Sequence, residues 1–159
     1  MTSRALYRVA AVLILLFDLG HSAAFPWSDP KWGVDTSAMT STRFRILGFS
    51  RTYWDFYVGN GLIVGVFLLL AAVLAWQLGG LPKQTWALVR LTAWALTLCF
   101  AALTVLSWAY FFTIPLVFSG LITICLLLIL IDAATLVGIV WWLVGDKLAG
   151  VGSRQLSEN

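Results

Sequence analysis

Four long apolar runs constrain this chain more than any other feature of its sequence. They cover residues 5–25, 54–78, 86–112 and 115–144. A helix needs about 20 mostly apolar residues to cross the hydrocarbon core of a bilayer, and each run is at least that long. Hydrocarbon offers no water to satisfy backbone groups, so spanning segments without strict apolar–polar alternation are helices. The sequence therefore predicts an all-α membrane protein, an antiparallel bundle of four transmembrane helices.

The composition agrees with a lipid-embedded chain. Hydrophobic residues make up 61% of the 159 residues and charged residues only 11%, whereas soluble domains carry about 25% charged residues. The basic residues are scattered singly and form no patch for nucleic acid. We predict one transmembrane domain over residues 1–150 and a disordered polar tail over residues 151–159.

The distribution of lysine and arginine predicts the orientation of the bundle. With a cytoplasmic N-terminus, six basic residues lie on the inner side and four in the first outer loop, residues 26–53. Because cytoplasmic segments carry the excess of Lys and Arg, both termini are predicted to be cytoplasmic. The first run also looks like a secretory signal peptide, but Asp18 and His21 interrupt it, so we expect an uncleaved helix.

The long outer loop is predicted to cap the bundle. Its beginning, PWSDPKWG, contains prolines and a glycine and is typical of irregular structure. The following stretch, TSAMTSTRFRILGFS at residues 36–50, mixes apolar side chains with two arginines. That mixture predicts a short amphipathic helix, lying on the membrane surface or folded over the mouth of the bundle.

Two short motifs mark the start of the second apolar run. Thr52 and Asp55 match the capping box directly before an apolar stretch. This gives Asp55 a structural explanation that we favour over a catalytic one. Gly61 and Gly65 form a GxxxG motif, which is typical of close packing between membrane helices. The motif predicts a contact face through which a homo-oligomer could form.

Polar side chains recur in the outer half of the predicted bundle. Asp18 and His21 are three residues apart on the first helix and therefore share a face. Asn60 lies at a similar depth on the second helix, as does Ser119 on the fourth. Ionisable residues inside a membrane are costly and are functional candidates by default. We predict a ligand-binding pocket lined by these residues: Asp18, His21, Tyr53, Tyr57, Asn60, Thr104 and Ser107.

His21 is also the candidate catalytic residue, together with Asp18. The imidazole could act as a general base or proton relay with the carboxylate orienting it, or the two could form a hydrogen-bonded pair that sets the packing of the helices. The sequence has one histidine, and its two cysteines, Cys99 and Cys125, lack metal-ligand spacing. We therefore predict no metal site and no cofactor, and buried free cysteines.

Asp132 is a further acidic residue inside the predicted membrane region. It follows six aliphatic residues in the fourth run and lies in the inner half of the bundle. Arg90 on the third helix is its expected partner in a structural ion pair, and Arg8 is the alternative.

Three motifs carry a resemblance to known proteins: Gly20–His21 at the end of the first run, Pro26–Trp27 in the loop, and RTYWDFYVGNGL at residues 51–62. In these motifs the chain resembles a family of small bacterial four-span membrane proteins of uncharacterised function, and the likeness covers most of its length. The resemblance implies the four-span topology and a bacterial inner membrane. It implies no chemistry.

Three functions are compatible with these features. The leading hypothesis is a membrane protein that binds a small amphiphilic or lipid-like molecule in an intramembrane pocket near the outer face. The second is a membrane-embedded enzyme that uses His21 and Asp18 for acid–base chemistry on a lipophilic substrate. The third is a structural or assembly protein. Membrane lipid is the expected partner in all three.

Overall fold

Four helices long and apolar enough to cross a membrane dominate the structure, a computed structural model that describes residues 3–24 and 36–131. They are α1 (Ser3–Ala24), α3 (Tyr53–Gly80), α4 (Trp86–Tyr110) and α5 (Thr113–Ile131). The prediction of four helices long and apolar enough to span a membrane is confirmed. The part of the fourth run after residue 131 lies outside the described residues.

The shorter elements lie in two connections between these helices. Helix α2 (Thr36–Ser41) and strands β1 (Arg43–Ile46) and β2 (Phe49–Thr52) lie between α1 and α3. A single 3-10 turn, Lys83–Thr85, precedes α4. Helix α1 ends at Ala24 and α3 begins at Tyr53, so these two residues mark the same end of the α1–α3 pair.

The principal helix pair is α1 with α3, and the two run antiparallel. The side of α1 that is buried repeats every three or four residues, as expected for one helical face. Its buried residues are Ser3, Tyr7, Ala10, Ala11, Ile14, Phe17 and Asp18. The opposing face of α3 consists mostly of small residues, so the two backbones approach closely. A Cβ at Gly79 would lie 3.1 Å from the Cβ of Tyr7.

Helix α1 also contacts the other two long helices. Tyr7 meets Trp86 at the start of α4, edge to face, with ring centroids 6.4 Å apart. Phe17 stacks on Phe118 of α5 with ring centroids 5.6 Å apart. Because α1 touches α3, α4 and α5, its buried face organises the hydrophobic core.

Large apolar side chains also cover the outside of the bundle. Leu88 and Leu91 of α4 are 84% and 82% exposed, and Trp108 is 76% exposed. Such a surface is unfavourable in water but suits a helix surrounded by lipid tails. Together with the helix lengths, it indicates a multi-pass membrane protein.

The stretch 36–50 differs from its predicted amphipathic helix. Only Thr36–Ser41 is helical, and residues 43–52 form an antiparallel hairpin in which Ile46 pairs with Phe49. The two turn residues between them, Leu47 and Gly48, have φ of 49° and 86°, as a two-residue type I′ turn requires. The helix prediction holds for Thr36–Ser41 and was wrong for the residues after them, because the polar–apolar alternation RFRI has the period of a strand.

Candidate functional site

The hairpin leads into α3 without a linker, through a capping box. The backbone N–H of Thr52 donates to Asp55 Oδ2 at 2.8 Å, and the Asp55 N–H donates to Thr52 Oγ1 at 3.1 Å. Thr52 closes β2 and is also the N-cap of α3. The capping-box prediction is confirmed, and the contact fixes the hairpin to the first turn of α3.

The predicted Asp18/His21 pair lies against the GxxxG motif of α3. His21 Nε2 is 2.9 Å from the carbonyl oxygen of Gly61. A carbonyl oxygen only accepts, so Nε2 carries the proton in this contact. Asp18 is 8% exposed, and the Ser22 hydroxyl donates to its Oδ1 at 3.4 Å. A Cβ at Gly65 would lie 3.3 Å from both of these side-chain oxygens.

These five residues, Asp18, His21, Ser22, Gly61 and Gly65, are called the α1–α3 clasp below. In the clasp, one glycine offers its carbonyl to the histidine and the other leaves room for the acid and the serine. The GxxxG face is thus occupied by α1 of the same chain. Association of two copies through Gly61 and Gly65 stays a prediction.

The other predicted ligand residues of α3 lie outside the clasp. Tyr53 packs on Phe44 of the hairpin, with ring centroids 5.2 Å apart. Tyr57 packs on Trp54 at 5.3 Å. Asn60 is exposed, so it does not share the buried position of the clasp acid. The ligand-binding roles of these residues stay predictions.

Thr104 of α4 and Ser119 of α5 belong to a separate polar network. Thr104 Oγ1 donates to the carbonyl of Phe100 at 2.8 Å and lies 3.2 Å from Thr123 Oγ1. Thr123 in turn donates to the Ser119 carbonyl at 2.8 Å. Ser107 is 2% exposed. The sequence analysis missed Thr123, although its spacing of four residues from Ser119 places both on one face of α5.

A groove of about 350 Å³ opens at the first turns of α3. It is lined by Arg51, Trp54, Asp55, Val58 and Gly59. Trp54 and Val58 lie seven and three residues before Gly61, so they continue the α3 face that packs on α1 deeper in the bundle. The lining joins a guanidinium, a carboxylate, an indole and aliphatic surface. The sequence analysis assigned this segment to the helix cap and the membrane interface and did not identify the groove.

The opposite end of the α1–α3 pair holds two arginines. The guanidinium of Arg8 lies 3.6 Å from the ring centroid of Trp76, a cation–π contact. Arg4 Nη2 donates to the Leu81 carbonyl at 3.3 Å, just beyond the end of α3. Arg90 is exposed. Asp132 lies outside the described residues, so its ion pair with Arg90 or Arg8 stays a prediction.

The described residues contain no group of three or more His, Cys, Asp or Glu side chains placed to hold a metal ion. Cys99 and Cys125 are both free. Cys99 is exposed on α4 and Cys125 is only half-buried, so the prediction that both cysteines are buried was wrong. An apolar run alone does not tell which helix face meets lipid.

The fold and the clasp define a multi-pass membrane protein with four helices able to span the bilayer. Comparison with protein-family models, with curated proteins and with solved structures gave no match. The arguments about function therefore rest on the chemistry of the groove, the clasp and the hairpin.

Proposed function

We propose that this protein, in a bacterial inner membrane with both termini in the cytoplasm, binds a small amphiphilic or lipid-like molecule near the outer face. The observation that carries the proposal is the groove of about 350 Å³ at the start of α3. Clefts of about 300–1,000 Å³ that combine apolar walls with a few polar groups are typical of small-molecule sites, and this groove is open along one side, as a site that takes up an amphiphile at the membrane surface would be. The scattered basic residues favour this orientation, and the resemblance of the motifs favours a bacterial membrane.

The groove offers separate chemistry for a polar head and an apolar tail. Arg51 presents a guanidinium, which binds phosphate or carboxylate oxygens in a fork geometry. Asp55 supplies the carboxylate that a hydroxyl or ammonium group of the ligand would meet, and its Oδ2 also accepts the Thr52 N–H in the capping box. Trp54 and Val58 supply the apolar wall.

The position of the groove fits a ligand that enters from lipid. It lies at the first turns of a helix that is long and apolar enough to span the membrane. Indole rings concentrate at the depth where acyl chains meet headgroups, so Trp54 would hold the ligand at that boundary. An amphiphile at this depth places its head beside Arg51 and its chain along Val58.

In this proposal Asp18 and His21 are positioning residues rather than ligand or catalytic groups. They hold α1 against Gly61 and Gly65, about one turn deeper than the groove. His21 directs Nε2 at a backbone carbonyl, which favours a binding function over the acid–base alternative.

Retention of an amphiphile during purification tests the proposal. The protein in mild detergent is analysed by native mass spectrometry, alongside Arg51→Gln and Val58→Trp, which remove the charge and fill the groove. Arg45→Gln on the hairpin is the matched control, because it removes an arginine that does not line the groove. We expect a bound mass in the wild type and the control. Loss of a charge-assisted hydrogen bond of about 1.5–3 kcal/mol reduces retention at least tenfold in Arg51→Gln.

Two outcomes would contradict the proposal. One is a wild-type protein that carries no specific mass after purification from native membranes. The other is equal retention in Val58→Trp and the wild type, because a filled groove cannot hold the molecule.

A further inference from the structure

We propose that the β1–β2 hairpin is a membrane-interface anchor, whose apolar tip enters the lipid surface while its arginines contact lipid phosphates. The tip consists of Ile46, Leu47 and Phe49. This inference goes beyond the groove, because it concerns bulk lipid and does not need a specific ligand.

The tip of the hairpin is apolar and exposed. Leu47 is 93% exposed, Phe49 65% and Ile46 54%. Two-residue hairpin turns usually use Asn-Gly or Asp-Gly, which tolerate positive φ and face water. Here Leu47 has φ of 49°, a conformation that side chains of its type rarely adopt. Nearly complete exposure of a leucine side chain is unfavourable in water, so it favours an apolar environment at the tip.

The base of the hairpin is held at the level of the first turns of α3. Phe44 of β1 packs on Tyr53 and on Phe56, with ring centroids 5.2 Å and 5.1 Å apart. Phe56 lies one turn into α3 and is itself 51% exposed. With the capping box, this contact ties the hairpin to a spanning helix. The five residues from Thr52 to the tip reach at most about 16 Å, so the tip stays within range of the headgroups.

The charges of the hairpin match a phosphate-bearing surface. Residues 43–52 include three arginines and no acidic residue. Arg43, Arg45 and Arg51 are all exposed, and the Arg51 guanidinium lies 5.7 Å from the ring centroid of Phe49. Basic side chains flanking aromatic and aliphatic ones are the pattern of segments that lie in a membrane interface. We therefore assign a lipid surface, rather than a protein partner, to this hairpin.

The depth of the tip is the quantity to measure. Cys99 and Cys125 are replaced by alanine, a single cysteine is placed at Leu47, and a fluorescent label is attached. The full-length protein is reconstituted into vesicles of phosphatidylethanolamine and phosphatidylglycerol. The matched control carries the label at Ser50, which pairs with Arg45 on the other face of the hairpin. Nitroxide-bearing lipids and a water-soluble quencher then report the surroundings of each label.

We expect lipid nitroxides to quench the label at position 47 several times more strongly than the label at Ser50, and the aqueous quencher to show the reverse order. With both Arg43 and Arg45 changed to glutamine, quenching by nitroxide-phosphatidylglycerol falls relative to nitroxide-phosphatidylcholine, by about fivefold per arginine at most. The retention of an amphiphile in detergent is a separate measurement, so failure of one proposal leaves the other standing.

Either of two results overturns the anchor. Equal access of the aqueous quencher to positions 47 and 50 places the tip in water. Protection of position 47 from both quenchers places it against protein, as a second copy or a partner would do.

Discussion

Replacing His21 with alanine is expected to lower the free energy of unfolding by about 1 kcal/mol. The change removes the 2.9 Å hydrogen bond between Nε2 and the Gly61 carbonyl. A neutral hydrogen bond contributes about 0.5–1.5 kcal/mol, and interhelical ones in membranes average about 0.6 kcal/mol. Gly61 lies inside α3, where its carbonyl also belongs to the helical hydrogen-bond ladder, so the substitution does not strand it.

The surroundings of Asp18 decide whether the loss of unfolding free energy in His21→Ala is this small. Asp18 is buried, and its contacts are the Ser22 hydroxyl and the close approach of Gly65. If Asp18 instead depended on a charged His21, the loss of the imidazole would leave a buried, unpaired carboxylate, which costs about 3–5 kcal/mol. The two cases differ severalfold and are therefore separable.

Unfolding in mixed detergent, followed by circular dichroism, measures the difference. The series consists of the wild type, His21→Ala, Asp18→Asn and the double variant, with His21→Gln as a control that keeps a donor near the Gly61 carbonyl. We expect His21→Ala to lose about 1 kcal/mol, His21→Gln to recover part of it, and the double variant to be no more stable than His21→Ala. A loss above about 3 kcal/mol in His21→Ala that Asp18→Asn largely restores would refute the reasoning.

The other predictions concern helix packing, the helix cap and the orientation. Gly79→Ala places a Cβ 3.1 Å from a Cβ atom of α1 and should cost about 1–3 kcal/mol in the same assay. Gly80→Ala should cost clearly less, because its Cβ meets only the flexible end of an arginine at 3.7 Å; equal losses would contradict the packing described. Asp55→Asn should lower stability only slightly, because it weakens but does not remove the capping box at an exposed helix end. Lost retention of an amphiphile at nearly unchanged stability would support the place of Asp55 in the groove, whereas unchanged retention would show that Asp55 acts only as a helix cap. Cysteines introduced singly at Ser37 and Ser153 in a cysteine-free background test the orientation: an impermeant thiol reagent applied outside should label the first and spare the second, and the reverse pattern would overturn the predicted topology.

The sequence alone predicts the elements of this protein whose causes are local. A run of apolar residues long enough to cross a bilayer forms a helix because no other structure satisfies its backbone there. The capping box is equally local, since Thr52 and Asp55 are three residues apart and need no other segment. The hairpin could also have been predicted, because RFRI alternates with period two and Leu-Gly can form a turn. Its mixture of apolar and basic residues was instead interpreted as an amphipathic helix.

The tertiary structure decides which polar side chains meet. Depth along each helix can be counted from the sequence, but the rotation of each helix about its axis cannot, because apolar residues surround a membrane helix on every side. Equal depth therefore placed Asn60 and Thr104 with Asp18 in the predicted pocket. The structure exposes Asn60 and joins Thr104 to Thr123.

The clasp and the groove show why the contacts between helices could not be predicted from the sequence. Gly61 and Gly65 were recognisable as a packing face, but only the fold shows that α1 of the same chain fills it. The residues that line the groove all lie between Arg51 and Gly59, yet the groove takes its shape only where α3 begins at the end of a hairpin. Long-range contacts depend on how the helices are rotated and packed. In a single sequence, only the small residues that allow two helices to approach closely indicate where such contacts form.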